Sequence, residues 1–376
     1  MKRSKVLLIT LILVPVIVLG ILFAVVTNRQ GWFAKEEEAF TGDSYTFVVV
    51  GDTQALNEFY PQKLSALYDW IVENEEKENI AFVFGLGDIT ESYKAPATNQ
   101  IEFSRAEAEF QKLLDAKIPF SLTRGNHDLP GIYVSNITYE EYGDMTYGGT
   151  SSIVKEAGSF DDTMKNTWQK LEICGQKYLF INMDIGVTAT VLGNINAFIE
   201  ENAQYRVIIT THIYLSCGQE ANGYVPTYVS GSSIKTYYGA NIDFMARGGQ
   251  YLWDECFSKH ENIEIVLCGH SPCPRIDYWA QEGENGNMVN QFLIDPQAMD
   301  LPVTEDPTRG QDGLGMVALF RFSNNGDILD VEYYSTDRNE YLEDSCYTVD
   351  LTEGKKIFKE DAGNSSEAAS DATTGS

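Results

Sequence analysis

The sequence predicts an α/β domain in which mixed β-sheets are covered by helices. From Tyr45 onward, short apolar runs rich in β-branched residues alternate with helical patterns, and the last part of the chain forms hairpin-like pairs of strands. The chain has 376 residues, 43% of them apolar and 22% charged, which is enough for one large domain or two ordinary ones. This composition excludes a wholly disordered chain, a collagen and a polytopic membrane protein.

The individual elements follow from local patterns. The run Tyr45–Gly51 predicts a buried strand, and Pro61–Glu76 predicts a helix with proline at its start and apolar residues on one face. The other expected strands are 80–86, 118–123, 206–211 and 263–268, the hairpins are 171–184 and 315–322 with 328–334, and the other helices are 101–116, 192–202 and 250–259.

The N-terminus indicates a membrane segment. A basic flank, residues 1–5, with Lys2, Arg3 and Lys5, precedes the uncharged run 6–26. As a helix this run is about 31 Å long, enough to cross a ~30 Å hydrocarbon core. We expect a transmembrane signal-anchor with the basic flank in the cytoplasm and the rest outside. A cleaved secretory signal, which would release the domain, and a buried core helix are the alternatives.

The domain itself is expected to span 45–360, between two polar segments. Residues 27–44 form a linker, and 361–376 contain no Leu, Ile, Val or Phe, so this tail is expected to be disordered. The chain has 55 acidic and 27 basic residues, a formal charge of −28. Such a surface repels nucleic acid and anionic lipid, so no nucleic-acid binding surface is expected. The sequence does not indicate an oligomeric state.

The six cysteines carry no zinc-ribbon or thioredoxin signal, because no CxxC pair occurs. In an oxidising compartment some of them can pair, and the alternative is that they are buried free thiols. They are Cys174, Cys217, Cys256, Cys268, Cys273 and Cys346.

Polar motifs follow five of the expected strands. Ligand sites of open α/β sheets lie beyond the carboxyl ends of strands, so these motifs are expected to converge, although each alone is also typical of a turn or cap. A set of carboxylates, an Asn amide and imidazoles suits Mn, Fe, Zn, Co or Ni, and paired buried carboxylates require a cation. The fourth histidine, His260, follows a helix and is expected to be solvated. The motifs are 52–54, 87–91, 125–128, His212 and 269–270.

The order of these motifs resembles the calcineurin-like metallophosphoesterase superfamily, which includes the purple acid phosphatases. The family pattern is D-x-H, G-D-x-x-D/E, G-N-H-D/E, H and G-H-x-H, matched here over about residues 45–345. The resemblance implies a four-layer αββα sandwich with two mixed sheets and two metals at the sheet tips. It also implies that Asp88 bridges the metals and that Asn126, His212 and His270 complete one site.

The other metal site departs from the pattern. Asp52 and Asp88 remain, but Gln54 and Pro272 stand where the family has histidines. Gln54 offers an amide oxygen and Pro272 offers no donor, so we expect one tight metal and a second, weak, oxygen-bound one. A substitute ligand, Cys273 or Asp295, is the alternative. The cofactors are therefore divalent ions, drawn from Mn, Fe, Zn, Mg and Ca.

The resemblance implies a phosphatase or phosphodiesterase that uses metal-activated water on a phosphoester substrate, and the expected N-terminal anchor would place it outside the cytoplasm. His127 corresponds to the imidazole beside the phosphate, and Asp128 is expected to orient its ring. Arg124 is expected either to touch phosphate or to lie on the surface, and the long segment 213–246 to select the substrate. The alternatives are a non-catalytic relative that binds a phosphorylated ligand or partner, and a metal-dependent hydrolase of another ester. The substrate cannot be named from the sequence.

Overall fold

The computed structural model describes residues 44–91, 96–128, 153–161, 165–185, 187–230, 248–298 and 315–357. The expected basic flank, anchor and tail, and all of the linker except Ser44, lie outside these residues. Within the described ranges, no helix combines the length and apolar character needed to span a bilayer.

The strands and helices alternate along the first two thirds of the chain, and strands dominate the last third. The strands are β1 Tyr45–Val50, β2 Ile80–Gly85, β3 Phe120–Leu122, β4 Glu156–Ser159, β5 Thr167–Ile173, β6 Gln176–Met183, β7 Arg206–Thr211, β8 Leu215–Ser216, β9 Thr227–Tyr228, β10 Ile263–Cys268, β11 Asp277–Glu282, β12 Met288–Leu293, β13 Met316–Ser323, β14 Ile328–Ser335, β15 Glu340–Tyr341, β16 Tyr347–Asp350 and β17 Lys355–Ile357. The helices are α1 Gln54–Phe59, α2 Pro61–Glu73, α3 Glu75–Glu78, α4 Pro96–Ala116, α5 Ala189–Glu201 and α6 Gly249–Leu252, which continues as a π-helical stretch, Trp253–Phe257.

Most of these strands form two mixed sheets. The eight-stranded sheet has the order β17-β16-β14-β13-β1-β2-β3, with β15 paired to β14, and the seven-stranded sheet has the order β11-β12-β10-β7-β6-β5-β4. Strands β1, β2 and β3 are parallel in the first sheet, and β6, β7, β10 and β12 are parallel in the second. Their carboxyl ends carry the polar loops of the site.

Alternating side chains of β1 show why the layers form. Val48 and Val50 pack against helices α2 and α4, while Phe47 points to the opposite sheet, where its ring lies 5.5 Å from that of Phe180. Full burial of side chains of this size stabilises the fold by about 1.5–3 kcal/mol each. Helix α5 covers the outer face of the second sheet through Leu192, Ile195 and Ile199. The predicted four-layer αββα sandwich is confirmed.

Three sequence expectations change. The helix expected at 61–76 ends at Glu73, and α3 follows it after a break at Asn74. The hairpin of β11 and β12 was not predicted, because the buried face of β12 carries amides: Asn290 donates to the carbonyl of Leu351 at 2.9 Å. His260 was expected to be solvated, but it is buried, its Nε2 lies 3.0 Å from Asn196 Oδ1, and burial lowers its pKa.

Candidate metal and catalytic site

The loops after β1, β2 and β3 bring two buried aspartates to the edge of the first sheet. Asp88 lies in a left-handed turn with φ +48°, and its Oδ1 accepts a hydrogen bond from the His127 backbone N–H at 2.8 Å. The neighbouring loop passes so close that a Cβ at Gly125 would lie 2.1 Å from Asp88 Oδ1, so only glycine fits there. Asp52 accepts from the His270 backbone N–H with both oxygens, at 3.2 and 3.1 Å.

The loop after β7 directs His212 into this edge. His212 Nδ1 lies 2.8 Å from the carbonyl oxygen of Leu86, to which it donates, so Nε2 is the acceptor atom of the neutral ring. Nε2 faces oxygens, at 3.0 Å from Asn126 Oδ1 and 3.3 Å from Asp88 Oδ1. Burial opposes protonation of His212, but the charge of Asp88 outweighs it and raises the pKa of the imidazole. A metal ion held by His212 would take the place of the proton on Nε2.

The loop after β10 adds His270, whose ring centroid lies 5.2 Å from that of His212. Burial and the neighbouring His212 lower the pKa of His270 to about 4, so the ring is neutral at physiological pH and can donate a lone pair. Ligand atoms of Asp88, His212 and His270 all lie within 4.8 Å of one another.

This donor set fits a divalent cation. It combines carboxylate, amide and imidazole atoms, which borderline ions such as Mn, Fe and Zn accept. Burial and the charges of Asp295 and Asp88 raise the pKa of Asp52 well above its usual value, which is the electrostatic signature of carboxylates that lack a counter-ion. Asp88 differs: burial opposes its ionisation, but His212 outweighs burial and lowers its pKa.

Two glutamines and a third aspartate lie on the side of the site nearer Asp52. Gln54 is buried, its Nε2 donates to Asp88 Oδ2 at 3.3 Å and to Gln297 Oε1 at 2.9 Å, and its own Oε1 has no hydrogen-bond partner among the described residues. Gln297 Nε2 in turn donates to Asp295 Oδ2 at 3.2 Å. Asp295, which follows β12, is therefore the acidic residue that joins this side of the site. Cys273 does not join it, because its thiol lies in the core of the second sheet beside Cys217.

His127 lies at the rim of the cluster, with 22% of its side chain exposed. Its Nδ1 lies 3.3 Å from Glu91 Oε2, and its Nε2 lies 4.0 Å from Asp88 Oδ2. Burial opposes protonation of His127, but the contact with Glu91 and the charge of Asp88 outweigh it and raise its pKa to about 9. The contact with Glu91 and the charge of Asp88 therefore favour the protonated imidazole.

The expectation that Asp128 orients the His127 ring is corrected. The Asp128 carboxylate accepts hydrogen bonds from the backbone N–H groups of Ile89, Thr90 and Gly125, at 2.9, 3.0 and 2.9 Å. Asp128 therefore fixes the loops after β2 and β3 against each other, and the carboxylate that contacts the ring is Glu91. Glu91 occupies the last position of the G-D-x-x-D/E motif, so the motif marked it as a candidate site residue. The sequence could not show that its side chain points toward His127.

Arg124 is not a surface residue, which was one of the two sequence expectations for it. It is 2% exposed, and its Nε and Nη2 atoms donate to the two carboxylate oxygens of Asp184 at 2.9 and 2.7 Å. The pair links the end of β3 to the end of β6, and so ties the two sheets together beneath the site.

Arg124→Ala is expected to lower the free energy of unfolding by about 3–5 kcal/mol, because it leaves the Asp184 carboxylate buried without its counter-charge. Denaturant unfolding measures this loss. The double variant Arg124→Met, Asp184→Asn also removes the charge of Asp184 and is expected to recover part of the lost free energy of unfolding. A loss below about 1 kcal/mol in Arg124→Ala would contradict a structural role for the pair.

The segment expected to select substrate, 213–246, is described only up to residue 230. Its described part contains β8 and β9 and an exposed Tyr224 whose ring centroid lies 4.0 Å from the Arg275 guanidinium. The role of this segment stays a prediction.

The two-sheet sandwich and the carboxylates and imidazoles at its strand ends define a class of metal-dependent phosphoester hydrolases. The chain belongs to the calcineurin-like phosphoesterases, whose family model matches residues 45–285. Members of this family bind divalent metals. In this chain, the cluster of Asp88, His212 and His270 is a group of side chains that could hold such an ion.

Individual relatives are distant. The uncharacterized protein YvnB of Bacillus subtilis strain 168 is 25% identical over 336 residues, which cover 88% of this chain and 22% of YvnB, so the chain spans about a fifth of that relative's length. A dimetal phosphatase from Danio rerio matches with a TM-score of 0.49 and 11% identity, over 82% of this chain and 99% of its own. A purple acid phosphatase, PPD1, from yellow lupin matches with a TM-score of 0.49 and 13% identity, over 83% of this chain and 55% of its own. GAP50, the anchor in the inner membrane complex of Plasmodium, matches with a TM-score of 0.47 and 14% identity, over 83% of this chain and 89% of its own.

Proposed function

We propose that this chain is a phosphatase or phosphodiesterase that requires divalent metal ions. The observation that carries the proposal is the position of Asp88. Its carboxylate lies 3.3 Å from His212 Nε2, the nitrogen proposed to bind the metal, and accepts a hydrogen bond from the backbone N–H of His127, the proposed proton donor. Asp88 therefore connects the proposed metal site to the loop that carries His127. A bound divalent ion supplies positive charge opposite the phosphoryl oxygens and acidifies water into a nucleophile near neutral pH.

The chain's own residues divide the remaining work. Four residues are proposed to hold the tight ion: Asp88, Asn126, His212 and His270. The weak ion is proposed to bind Asp52, Asp88 and Gln54, together with Asp295, one of the two substitute ligands that the sequence left open. His127 is proposed to contact the phosphoryl group and to give its proton to the leaving oxygen. Glu91 keeps that imidazole protonated and Asp128 fixes its loop.

A panel of phosphomonoesters and phosphodiesters, assayed with the purified chain and added Mn²⁺, Zn²⁺, Fe²⁺, Mg²⁺ or Ca²⁺, tests the proposed function and defines its substrate class. We expect turnover of at least one ester that a chelator abolishes. The alternative, a non-catalytic domain that binds a phosphorylated ligand, is favoured by the two missing family histidines at positions 54 and 272. Binding of phosphoesters without turnover under every metal would support it.

Glu91→Gln is expected to lower kcat by about tenfold and to shift the alkaline limb of its pH profile to lower pH. The protonated imidazole is the active form, so activity falls as pH rises through its pKa. Removal of the Glu91 charge lowers that pKa, and the fall then begins at lower pH. The matched control is Glu107→Gln on the solvent face of α4, which should change neither quantity. A lower kcat with an unshifted pH limb would show that Glu91 only supports the loop.

The dialysed protein is expected to retain about one metal ion per chain, with a second that binds only in the millimolar range of Mn²⁺ or Mg²⁺. The residues proposed for the second ion offer oxygens, which suit hard, weakly held ions, whereas the imidazoles are proposed to hold the first ion. Elemental analysis measures the stoichiometry. Asp295→Asn is expected to weaken only the second ion, and two tightly bound ions in the unmodified chain would contradict the assignment.

We further propose an extracytoplasmic location, supported by the basic flank that precedes the uncharged run 6–26. Protease added to intact cells is expected to cut the domain. Full protection until the membrane is opened would contradict this topology.

A further inference from the structure

A second cluster of reactive side chains lies outside the proposed metal site. The thiols of Cys217 and Cys273 and the carboxylate of Asp277 offer atoms that all lie within 4.8 Å of one another. Cys217 follows β8, soon after His212, and Cys273 follows the loop of His270. The two cysteines are free in this structure and hydrogen-bond to each other through their side chains.

The surroundings of this cluster disfavour a metal ion. The Asp277 carboxylate already accepts the Gly218 backbone N–H at 2.6 Å and pairs with Arg275 Nε at 2.6 Å. The guanidinium therefore places a positive charge beside two of the three groups that would have to bind a cation.

We propose that Cys217 and Cys273 form a disulfide bond that ties together the two segments carrying His212 and His270. The two sulfur atoms already lie within 4.8 Å of each other, and a disulfide bond requires about 2.05 Å between them. Cys217 is half-buried and Cys273 is fully buried, so Cys217 is the sulfur that an external oxidant reaches first. Arg275 Nη2 lies 3.7 Å from Cys217 Sγ and favours the thiolate at that sulfur.

The oxidant is a disulfide compound, such as oxidised glutathione or a thiol–disulfide exchange protein. Cys217 loses its proton to solvent, and its thiolate attacks the donor disulfide, forms a mixed disulfide and releases one donor thiolate. Cys273, once deprotonated, attacks the Cys217 sulfur, forms the internal bond and releases the second donor thiolate. The chain loses two protons and two electrons, and the donor disulfide is reduced to two thiols.

The test is disulfide mapping of the purified chain after equilibration in oxidised glutathione. We expect a Cys217–Cys273 linked peptide in an unreduced digest and a rise in Tm of roughly 3–6 °C over the reduced chain. Cys217→Ser and Cys273→Ser should each abolish both the linked peptide and the rise in Tm. Cys346→Ser, which alters another half-buried thiol, should abolish neither.

The mapping needs only the unmodified chain, so it decides the proposal even where a variant folds poorly. Free, alkylatable Cys217 and Cys273 in the folded, oxidised chain, or a linked peptide that joins either of them to another cysteine, would overturn it. Stoichiometric Zn²⁺ that is lost in both serine variants would overturn it in favour of a metal site.

Discussion

Asp88→Asn is expected to weaken metal binding by at least about 100-fold and to lower kcat/KM by a similar factor or more. Asparagine keeps the shape of the side chain and can still accept the backbone N–H of His127, so the loops should hold their positions. What it removes is the negative charge that faces both proposed ions. Metal content by elemental analysis and phosphoester turnover measure the two effects.

The matched control is Asp69→Asn, the same chemical change on the exposed face of α2, where the Asp69 carboxylate pairs with Lys112. This variant should keep the metal and the activity of the unmodified chain. Equal metal content in the Asp88→Asn variant and the unmodified chain would refute the proposed bridging role. So would full activity in the presence of a chelator.

His127→Ala is expected to lower kcat by about 100- to 10,000-fold while the tight metal stays bound. The imidazole faces Glu91 and the rim of the site, and only its backbone N–H contacts Asp88 at hydrogen-bond distance. Loss of the ring therefore removes a proton donor without removing a ligand. A barrier change of only 1–2 kcal/mol already corresponds to about 5- to 30-fold in rate, so the effect is well within reach of a steady-state assay.

His212→Ala provides the contrast for this experiment. Its Nε2 faces Asn126 and Asp88, so the same chemical change there should release the metal and abolish turnover together. If His127→Ala kept near-normal rates on every substrate, or lost the metal in parallel with His212→Ala, the proposed division of roles would be wrong.

Much of the fold was predictable because its strands are buried runs of apolar residues. Strand β1 and the hairpin of β13 and β14 were predicted from sequence, since every residue of β1 is buried and Asn325 and Gly326 mark the turn. Strand β12 was missed because Asn290 and Gln291 are buried and hydrogen-bonded within the core. Local apolarity cannot signal a strand whose inward residues are amides with distant partners.

The members of the site could be predicted from strand-end motifs, but their contacts could not. Side-chain direction at a loop depends on turns such as the left-handed one at Asp88, and on neighbours distant in sequence. Asp128 and Glu91 illustrate this, because the two carboxylates follow neighbouring strands and only the folded loops decide which one meets His127. Asp295 was one of two substitute ligands that the sequence left open, and only the structure shows that Gln297 connects it to Gln54 and that Cys273 lies elsewhere.

The most direct test of the account is the rate of phosphoester hydrolysis by the metal-stripped chain as Mn²⁺ is added back. The account predicts no turnover without metal, a first rise that parallels occupancy of the tight site, and a further rise in the millimolar range. The Asp88→Asn variant should show neither rise at the same concentrations. Turnover by the stripped chain that a chelator leaves unchanged, or no turnover of any ester at full metal occupancy, would contradict it.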